Sequence, residues 1–316
     1  TEVAMKKTLL LILAAALCLS LCACGAGNTD EVKGQSAGKE LKQTTAADDV
    51  FTLNYNSEYS MNPLVATNTS NQVVCNLVYE NMIEVDNKFN PIPNVITSWS
   101  TEDGSHWTFT VAEDRYFHDG SRLTANDVAY SLQNAINSDR YRGRLYYVSG
   151  CSANDAKSFN VTLSKANMLF PTLLTIPVIK NGSFGNEFPQ GSGPYVYSRN
   201  HSKLTAFKKY YAYESLPLKT IYLAEYNTVD TIIAAFEDSL IDLVMNDPSA
   251  PTNLGYGAKN EIRGINTTNL HYIGFNMYSR IFSSDAMRNI VNIAIDREAV
   301  AMEQFGGYAL ATTQVI

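Results

Sequence analysis

The sequence has 316 residues, of which 45% are hydrophobic and 11% aromatic, and its formal net charge is −7. This length predicts one large or two medium domains, and the apolar content is enough for a sizeable core. An acidic balance, without a Lys/Arg cluster in the body of the chain, argues against nucleic acid or an anionic membrane surface as a partner.

The N-terminal stretch has the pattern of a secretory signal. Two lysines after Met5 precede an apolar run, residues 9–21, that is too short for an ordinary transmembrane helix. The run ends in Leu21-Cys22-Ala23-Cys24, which resembles a bacterial lipobox. Residues 1–24 are therefore predicted to be a lipoprotein signal peptide with Cys24 as the lipidated residue; the alternative is a plain signal peptide with an incidental cysteine.

Residues 25–49 are polar and show neither a helical nor a strand period, so they are predicted to be a flexible tether. A tether of this length has a root-mean-square reach of roughly 25 Å. Together with lipidation it predicts an extracytoplasmic protein anchored to the cell membrane.

The next elements are predicted from their periodicity. Residues 50–55 alternate as a half-buried strand, residues 71–85 form a helix, and residues 96–99 and 107–111 form a hairpin with its two tryptophans in the core. Residues 158–163 alternate as a further strand.

The stretch 117–132 carries the most information. Asp119-Gly120 predicts a turn, and Thr124 and Asp127 have the spacing of a capping box that opens a helix. One face of that helix is apolar, which predicts that it packs on a core.

The later elements alternate between the two kinds of secondary structure. Strands are predicted at 195–197 and 204–207, a capped helix at 228–238 followed by a strand at 240–244, a strand at 271–276, and a helix at 287–305 that is capped again at Asp296. The helix and strand at 228–244 argue for an α/β architecture.

Several motifs together resemble a known family. They are Trp107-Thr108-Phe109, Phe117-His118-Asp119-Gly120, the run 123–132, Gly191-Ser192-Gly193-Pro194-Tyr195 and Ala294-Ile295-Asp296-Arg297. They closely resemble the bacterial family 5 extracellular solute-binding proteins, the dipeptide, oligopeptide and nickel receptors of ABC importers. The resemblance covers nearly everything from residue 51 to residue 307.

This resemblance implies a periplasmic binding protein-like α/β fold (type II, cluster C) with two lobes, the second incomplete. Residues 50–85 and 169–262 would form the main part of lobe I, residues 86–168 an inserted subdomain, and residues 263–316 the start of lobe II. Family chains are longer, so the chain is expected to be truncated at its C-terminus, to bind ligand weakly or not at all, and to expose apolar surface.

The resemblance also implies a function and a site. A monomer would capture a peptide between the lobes and deliver it to ABC permease subunits. The candidate ligand-binding residues are Glu58, Tyr59 and Ser60 in the loop 56–64, with Tyr272 and Asn276; Glu58 would receive the peptide's amino group. Residue chemistry alone favours a solvated turn for that loop. Nickel or another solute stays open as the ligand, and a sensory lipoprotein or a surface hydrolase as the class of protein.

Enzyme signatures are missing from the sequence. It contains no G-x-S-x-G, H-E-x-x-H or P-loop pattern, and none of its four histidines lies at ligand spacing from another. We therefore expect no catalytic residue, no metal and no cofactor. Cys75 and Cys151 could form a disulfide or be small buried side chains.

Overall fold

The structure, a computed structural model, describes residues 50–247, 261–265, 267 and 269–313. The predicted signal peptide, Cys24 and the tether lie outside these residues. The strands and helices are, in chain order, β1 (Thr52–Tyr55), α1 (Thr69–Val78), β2 (Ile83–Val85), β3 (Pro91–Pro93), β4 (Ile96–Ser100), β5 (His106–Val111), α2 (Ala125–Asn137), β6 (Val148–Ala153), β7 (Ser158–Leu163), β8 (Tyr195–Tyr197), β9 (Lys203–Ala206), β10 (Thr220–Glu225), α3 (Val229–Glu237), α4 (Asp285–Ala294) and α5 (Arg297–Glu303).

The first sheet has four strands in the order β1-β10-β9-β8. β1 pairs with β10 in parallel, with Leu53 beside Leu223, whereas β9 is antiparallel to both of its neighbours. Helix α1 packs on β1 and β8, and its residues Val74 and Val78 are fully buried. A mixed sheet covered by a helix confirms the predicted α/β class.

The second sheet is antiparallel, in the order β4-β5-β7-β6. Buried and exposed residues alternate along β5, so that one face of the sheet packs inward. That face carries stacked rings: Trp107 lies 5.9 Å from Phe109 between ring centroids, and Phe109 lies 5.0 Å from Phe159. The predicted hairpin is therefore confirmed, and so is the core position of Trp107, which is 4% exposed.

Helix α2 begins at the predicted capping box. The Asp127 carboxylate accepts hydrogen bonds from the Thr124 N–H at 2.9 Å and from the Thr124 hydroxyl at 2.8 Å. Its other oxygen accepts from the Asn181 N–H at 2.9 Å. The cap therefore holds the start of α2 against a distant loop as well as satisfying the helix end.

The helix predicted to reach residue 85 ends at Val78 instead. After it the chain is extended: the Met82 N–H donates to the Ile176 carbonyl and the Val178 N–H donates to the Glu80 carbonyl, both at 2.8 Å. These bonds satisfy buried N–H and C=O groups that would bond within the helix if it continued. Because the partner residues are distant in the sequence, the hydrophobic periodicity of residues 71–85 could not predict this end of the helix.

Two predicted strands are not formed as predicted. Residues 240–244 make only a single bridge, Leu53 to Leu243, supported by a bond from the Asp242 N–H to the Thr52 carbonyl at 2.9 Å. Residues 271–276 have no strand pairing, and Tyr272 is 79% exposed. The reason is the lack of a neighbour, because no described strand runs beside residues 271–276 to accept their hydrogen bonds.

Residues 269–313 hold two short helices. The break predicted at Asp296 is confirmed, since its carboxylate caps α5 by accepting from the Ala299 N–H at 2.9 Å. Apolar side chains in this part are open to solvent, with Ile290 57% and Ile293 82% exposed. The expected exposure of apolar surface is thus confirmed here.

Candidate functional site

Three strands of the first sheet end at the same side of the molecule. β1 and β10 are parallel, and β8 points the same way because both are separated from it by the antiparallel β9. Tyr55, Glu225 and Tyr197 are the last residues of these strands, and we call the side at which they lie the carboxyl edge. In open α/β sheets ligands bind outside this edge.

The loop 56–64 leaves β1 at the carboxyl edge, and Asn71 of α1 holds it in place. The fully buried Asn71 amide accepts from the Asn56 N–H at 2.8 Å and donates to the carbonyls of Asn56 at 2.9 Å and Tyr59 at 3.0 Å. One side chain therefore satisfies the backbone on both sides of the turn. A single polar residue on the apolar face of α1 was the sequence signal for this role, and sequence reasoning missed it.

A second support comes from a distant part of the chain. The Glu187 carboxylate accepts from the Met61 N–H at 2.5 Å, and its other oxygen lies 3.5 Å from the Ser60 hydroxyl. The Asn62 amide donates to the Phe184 carbonyl at 2.7 Å. The loop is thus fixed from two directions. Nothing local in the sequence indicates the part of Glu187, which lies more than a hundred residues away.

The structure brings Glu58, Tyr59 and Ser60 together on this loop. Glu58 is exposed, and among the described residues its carboxylate has no hydrogen-bond or ion-pair partner; Tyr59 is 49% exposed. Ser60 differs, because its hydroxyl accepts from the Asn62 N–H at 3.1 Å as well as facing Glu187. Glu58 and Tyr59 are therefore available to a ligand, whereas Ser60 shapes the loop.

The other two candidates lie elsewhere in the chain. Tyr272 is exposed, and Asn276 uses its side-chain oxygen to accept from the Tyr278 N–H at 3.0 Å. No hydrogen bond or ring contact between described residues joins either of them to the loop 56–64. Their place in a binding site stays a prediction.

A second carboxylate lies at the end of β10. Glu225 accepts hydrogen bonds from the hydroxyls of Ser57 and Tyr55 and from the amide of Asn227. These bonds, that of Ser57 above all, lower the pKa of Glu225. Glu58 and Glu225 are thus two carboxyl side chains at the β1–β10 part of the carboxyl edge.

A cavity of about 180 Å³ lies at the other end of the carboxyl edge, beside β8. Its walls include Phe188, Tyr197, Arg199 and His201. The rings of Phe188 and His201 stack at 3.8 Å between centroids with 6° between their planes. The sequence predicts only the strands on either side of Arg199 and His201, at 195–197 and 204–207, so this cavity was missed.

Metal ligation and membrane crossing find no support in the part of the chain that the structure describes. No three His, Cys, Asp or Glu side chains there lie close enough together to hold a metal ion. Each of its helices is too short or too polar to cross a bilayer. The two described cysteines, Cys75 and Cys151, are free thiols, which answers the question of a disulfide.

The mixed sheet, the inserted antiparallel sheet and the loop at the carboxyl edge define a periplasmic binding protein-like fold. A nickel ABC transporter protein from Bacillus halodurans superposes with a TM-score of 0.59 at 20% identity, over 84% of this chain and 57% of that chain. NikZ from Campylobacter jejuni, solved in complex with Ni(L-His), gives 0.54 at 18% identity over the same shares. These likenesses establish the fold.

The sequence identifies the family. Residues 90–316 match the bacterial extracellular solute-binding proteins, family 5 Middle, and the chain belongs to this family. Its relatives include the glutathione-binding protein GsiB of Salmonella typhi, 26% identical over 290 residues, and that of Escherichia coli K12, 25% identical over 290 residues. Both are named as binding proteins.

Coverage of these relatives is partial. The matches with both GsiB proteins take in 86% of this chain but 56% of the relative. The chain therefore spans little more than half the length of the curated relatives it matches.

Proposed function

We propose that this chain is the substrate-binding component of an ABC importer and that its ligand is a peptide held at the carboxyl edge. Residues 50–85 and 169–262 form the main part of lobe I in this proposal, residues 86–168 its inserted subdomain, and residues 263–316 the start of lobe II, which closes over the ligand. The observation that carries it is the loop 56–64, fixed by Asn71 and Glu187 and offering Glu58 to solvent.

Peptide is favoured by the chemistry of this loop. A peptide's ammonium group needs a carboxylate that has no other partner, and Glu58 provides one among the described residues. The half-exposed Tyr59 adds a rigid ring that can pack on varied side chains at little entropic cost. The GsiB relatives are named for glutathione, which is itself a tripeptide. Tyr272 and Asn276 would reach the ligand from lobe II.

The location belongs to the same proposal. Lipidation at Cys24 would anchor a monomeric receptor outside the cell membrane, and the tether 25–49 would keep it within reach of the permease. Labelling with a fatty acid in living cells tests this point. The wild-type protein should incorporate label and Cys24→Ser should not; label in both would refute anchoring through Cys24.

Native mass spectrometry of the gently purified full-length protein tests the ligand class. Peptides that dissociate on activation are the expected result, and a bound species that contains no peptide would refute the proposal. The released peptides then allow a comparison of free and N-acetylated forms. Glu58→Gln should weaken binding of the free form by about tenfold and leave the acetylated form unchanged.

Glu102→Gln is the matched control for that comparison. Glu102 is exposed in the turn between β4 and β5, in the second sheet. This variant removes one carboxylate of the same type, so it should bind both forms as the wild-type protein does. Equal losses in the two variants would mean that net charge, and not the position of Glu58, governs binding.

A further inference from the structure

The cavity beside β8 combines a flat apolar wall with polar groups. Phe188 and His201 form the stacked wall, and Tyr197 meets His201 edge-on at 5.6 Å between ring centroids. His201 has a φ of 53°, a left-handed conformation that is uncommon for any residue except glycine. Such a backbone persists only where its surroundings hold it, and it fixes the ring against Phe188.

Arg199 and His201 line this cavity, and neither side chain has a hydrogen-bond partner among the described residues. Arg199 is exposed, and no ion pair or hydrogen bond with another described residue engages its guanidinium. The His201 ring nitrogens have none either. An unpaired guanidinium at the mouth of a cavity recognises a carboxylate, since its parallel N–H groups match the two oxygens.

The backbone of β8 adds further groups. Ser198 donates its N–H to the Lys203 carbonyl at 2.9 Å, and alternate residues of an antiparallel strand direct their backbone groups to opposite sides. The N–H and C=O of Tyr197 therefore face away from β9. β8 is the last strand of its sheet in the described part of the chain, so no described strand pairs with these two groups.

Acidic side chains lie near one end of the carboxyl edge and a basic side chain lies near the other. Glu58 and Glu225 lie at the ends of β1 and β10, and Arg199 follows the end of β8. The strand order places β8 three spacings from β1, which corresponds to about 14 Å at ~4.8 Å per spacing. An extended peptide advances ~3.3 Å per residue, so about four residues cover this distance.

We propose that the cavity beside β8 is the subsite for the carboxyl terminus of the peptide, with Arg199 binding the carboxylate and the Phe188–His201 wall receiving the last side chain. The inference rests on the proposed function, because Glu58 holds the other end of the same ligand. It assigns a preferred ligand: a zwitterionic peptide of about four residues.

The test uses the full-length protein and a random-sequence tetrapeptide library, prepared as free acids and as C-terminal amides. Binding of each library is measured by native mass spectrometry and titration calorimetry. The wild-type protein should prefer the acids by about tenfold or more, since the amide loses the charge-assisted bond. Arg199→Gln should lower affinity for the acids to that for the amides and leave the amides unaffected.

Lys203→Gln is the matched control. It removes one positive charge from the same hairpin, its side chain is exposed, and it does not line the cavity. It should retain the preference for acids. Inorganic phosphate and acetate, added alone, show whether a free anion suffices; displacement of the acid library by millimolar acetate would mean a general anion site and overturn the assignment to a peptide terminus.

The outcomes separate the two proposals. If neither library binds, the proposed peptide function fails and this inference fails with it. If both libraries bind equally well, or if Arg199→Gln keeps the preference, the peptide function stands and the carboxylate subsite is wrong. Libraries of two to six residues test the length, and a preference that rises steadily to six would contradict the spacing argument.

Discussion

The Glu80 carboxylate accepts a hydrogen bond from Nε of Arg115 at 3.1 Å, and both side chains are largely buried. The Arg115 guanidinium also bonds to Asp114 at 2.6 Å and lies over the Tyr211 ring at 3.7 Å. Burial raises the pKa of Glu80 to about 7, although the charge of Arg115 opposes the shift. This pair joins the chain after α1 to the chain after β5.

A raised pKa makes the folded state bind a proton more tightly than the unfolded state does. The contribution of Glu80 to stability is therefore complete below pH 4.5 and is lost as the pH rises to about 7. Glu80→Gln does not titrate, so its unfolding free energy should gain about 3 kcal/mol relative to wild type across this range, measured by urea unfolding at several pH values.

Glu113→Gln is the control for this experiment. Glu113 is exposed and pairs with Lys157 at 2.7 Å at the surface, where an ion pair contributes about 0–1 kcal/mol. Its stability should follow that of the wild-type protein at every pH. If the profiles of Glu80→Gln and wild type run parallel, the pKa of Glu80 is not raised by folding.

The titration of His118 makes stability depend on pH in the opposite direction from that of Glu80. Burial lowers its pKa to about 4, while its Nε2 contacts the Gly193 carbonyl at 3.0 Å. The unfolded chain binds the proton more tightly, so stability rises as the pH increases from 4 to 6.5. His118→Gln should lose stability relative to wild type progressively over this range, by urea unfolding. A constant difference would contradict this account.

Replacing Asn71 should lower both the stability of the protein and its affinity for peptide. Asn71→Ala removes every bond that its amide makes to the loop 56–64 and leaves buried backbone groups unpaired, which costs about 2–4 kcal/mol in unfolding free energy. The same change should weaken peptide binding in calorimetry. Gln72→Ala, one residue further on, loses bonds only to the carbonyls of Ala66 and Thr67 and should change peptide affinity less than twofold. If Asn71→Ala and Gln72→Ala changed peptide affinity equally, Asn71 would not be the residue that holds the loop 56–64 for binding.

Gly193 has no room for a side chain. A Cβ at this position would lie 2.6 Å from the carbonyl carbon of Val78 and 2.8 Å from the Tyr79 nitrogen, and backbone atoms cannot swing aside. Gly193→Ala should cost about 1–3 kcal/mol or more in urea unfolding. Gly185→Ala meets nothing within 4 Å and is expected to be neutral or slightly stabilising. Similar stabilities for the two variants would contradict this packing.

Local patterns predicted the elements whose structure is decided locally. The capping box at Thr124 and Asp127 and the alternation in β5 and β7 are both confirmed, because caps and half-buried strands carry their own signal. The early end of α1 was missed because the residues that replace its hydrogen bonds, at 176–178, lie about a hundred positions away.

The residues of the candidate site also fall into some that the sequence could predict and others that it could not. The loop after β1 was predicted from the family resemblance, and the structure shows that Glu58 and Tyr59 on it are exposed to solvent. The cavity beside β8 depends on the stack between Phe188, which precedes β8, and His201, which follows it, and a contact of this kind has no sequence signature. Glu187 bonds to the loop 56–64 only because folding brings these two distant segments together, so no local sequence pattern predicts the contact.

The free thiols of Cys75 and Cys151 have a practical consequence. Burial raises the pKa of both to about 12, so neither is a thiolate at neutral pH, and it is the thiolate that reacts with maleimides. A cysteine placed at the exposed Ser57 would then be the reactive thiol of residues 50–247. A fluorophore attached there could follow ligand capture in real time, with the native cysteines left in place.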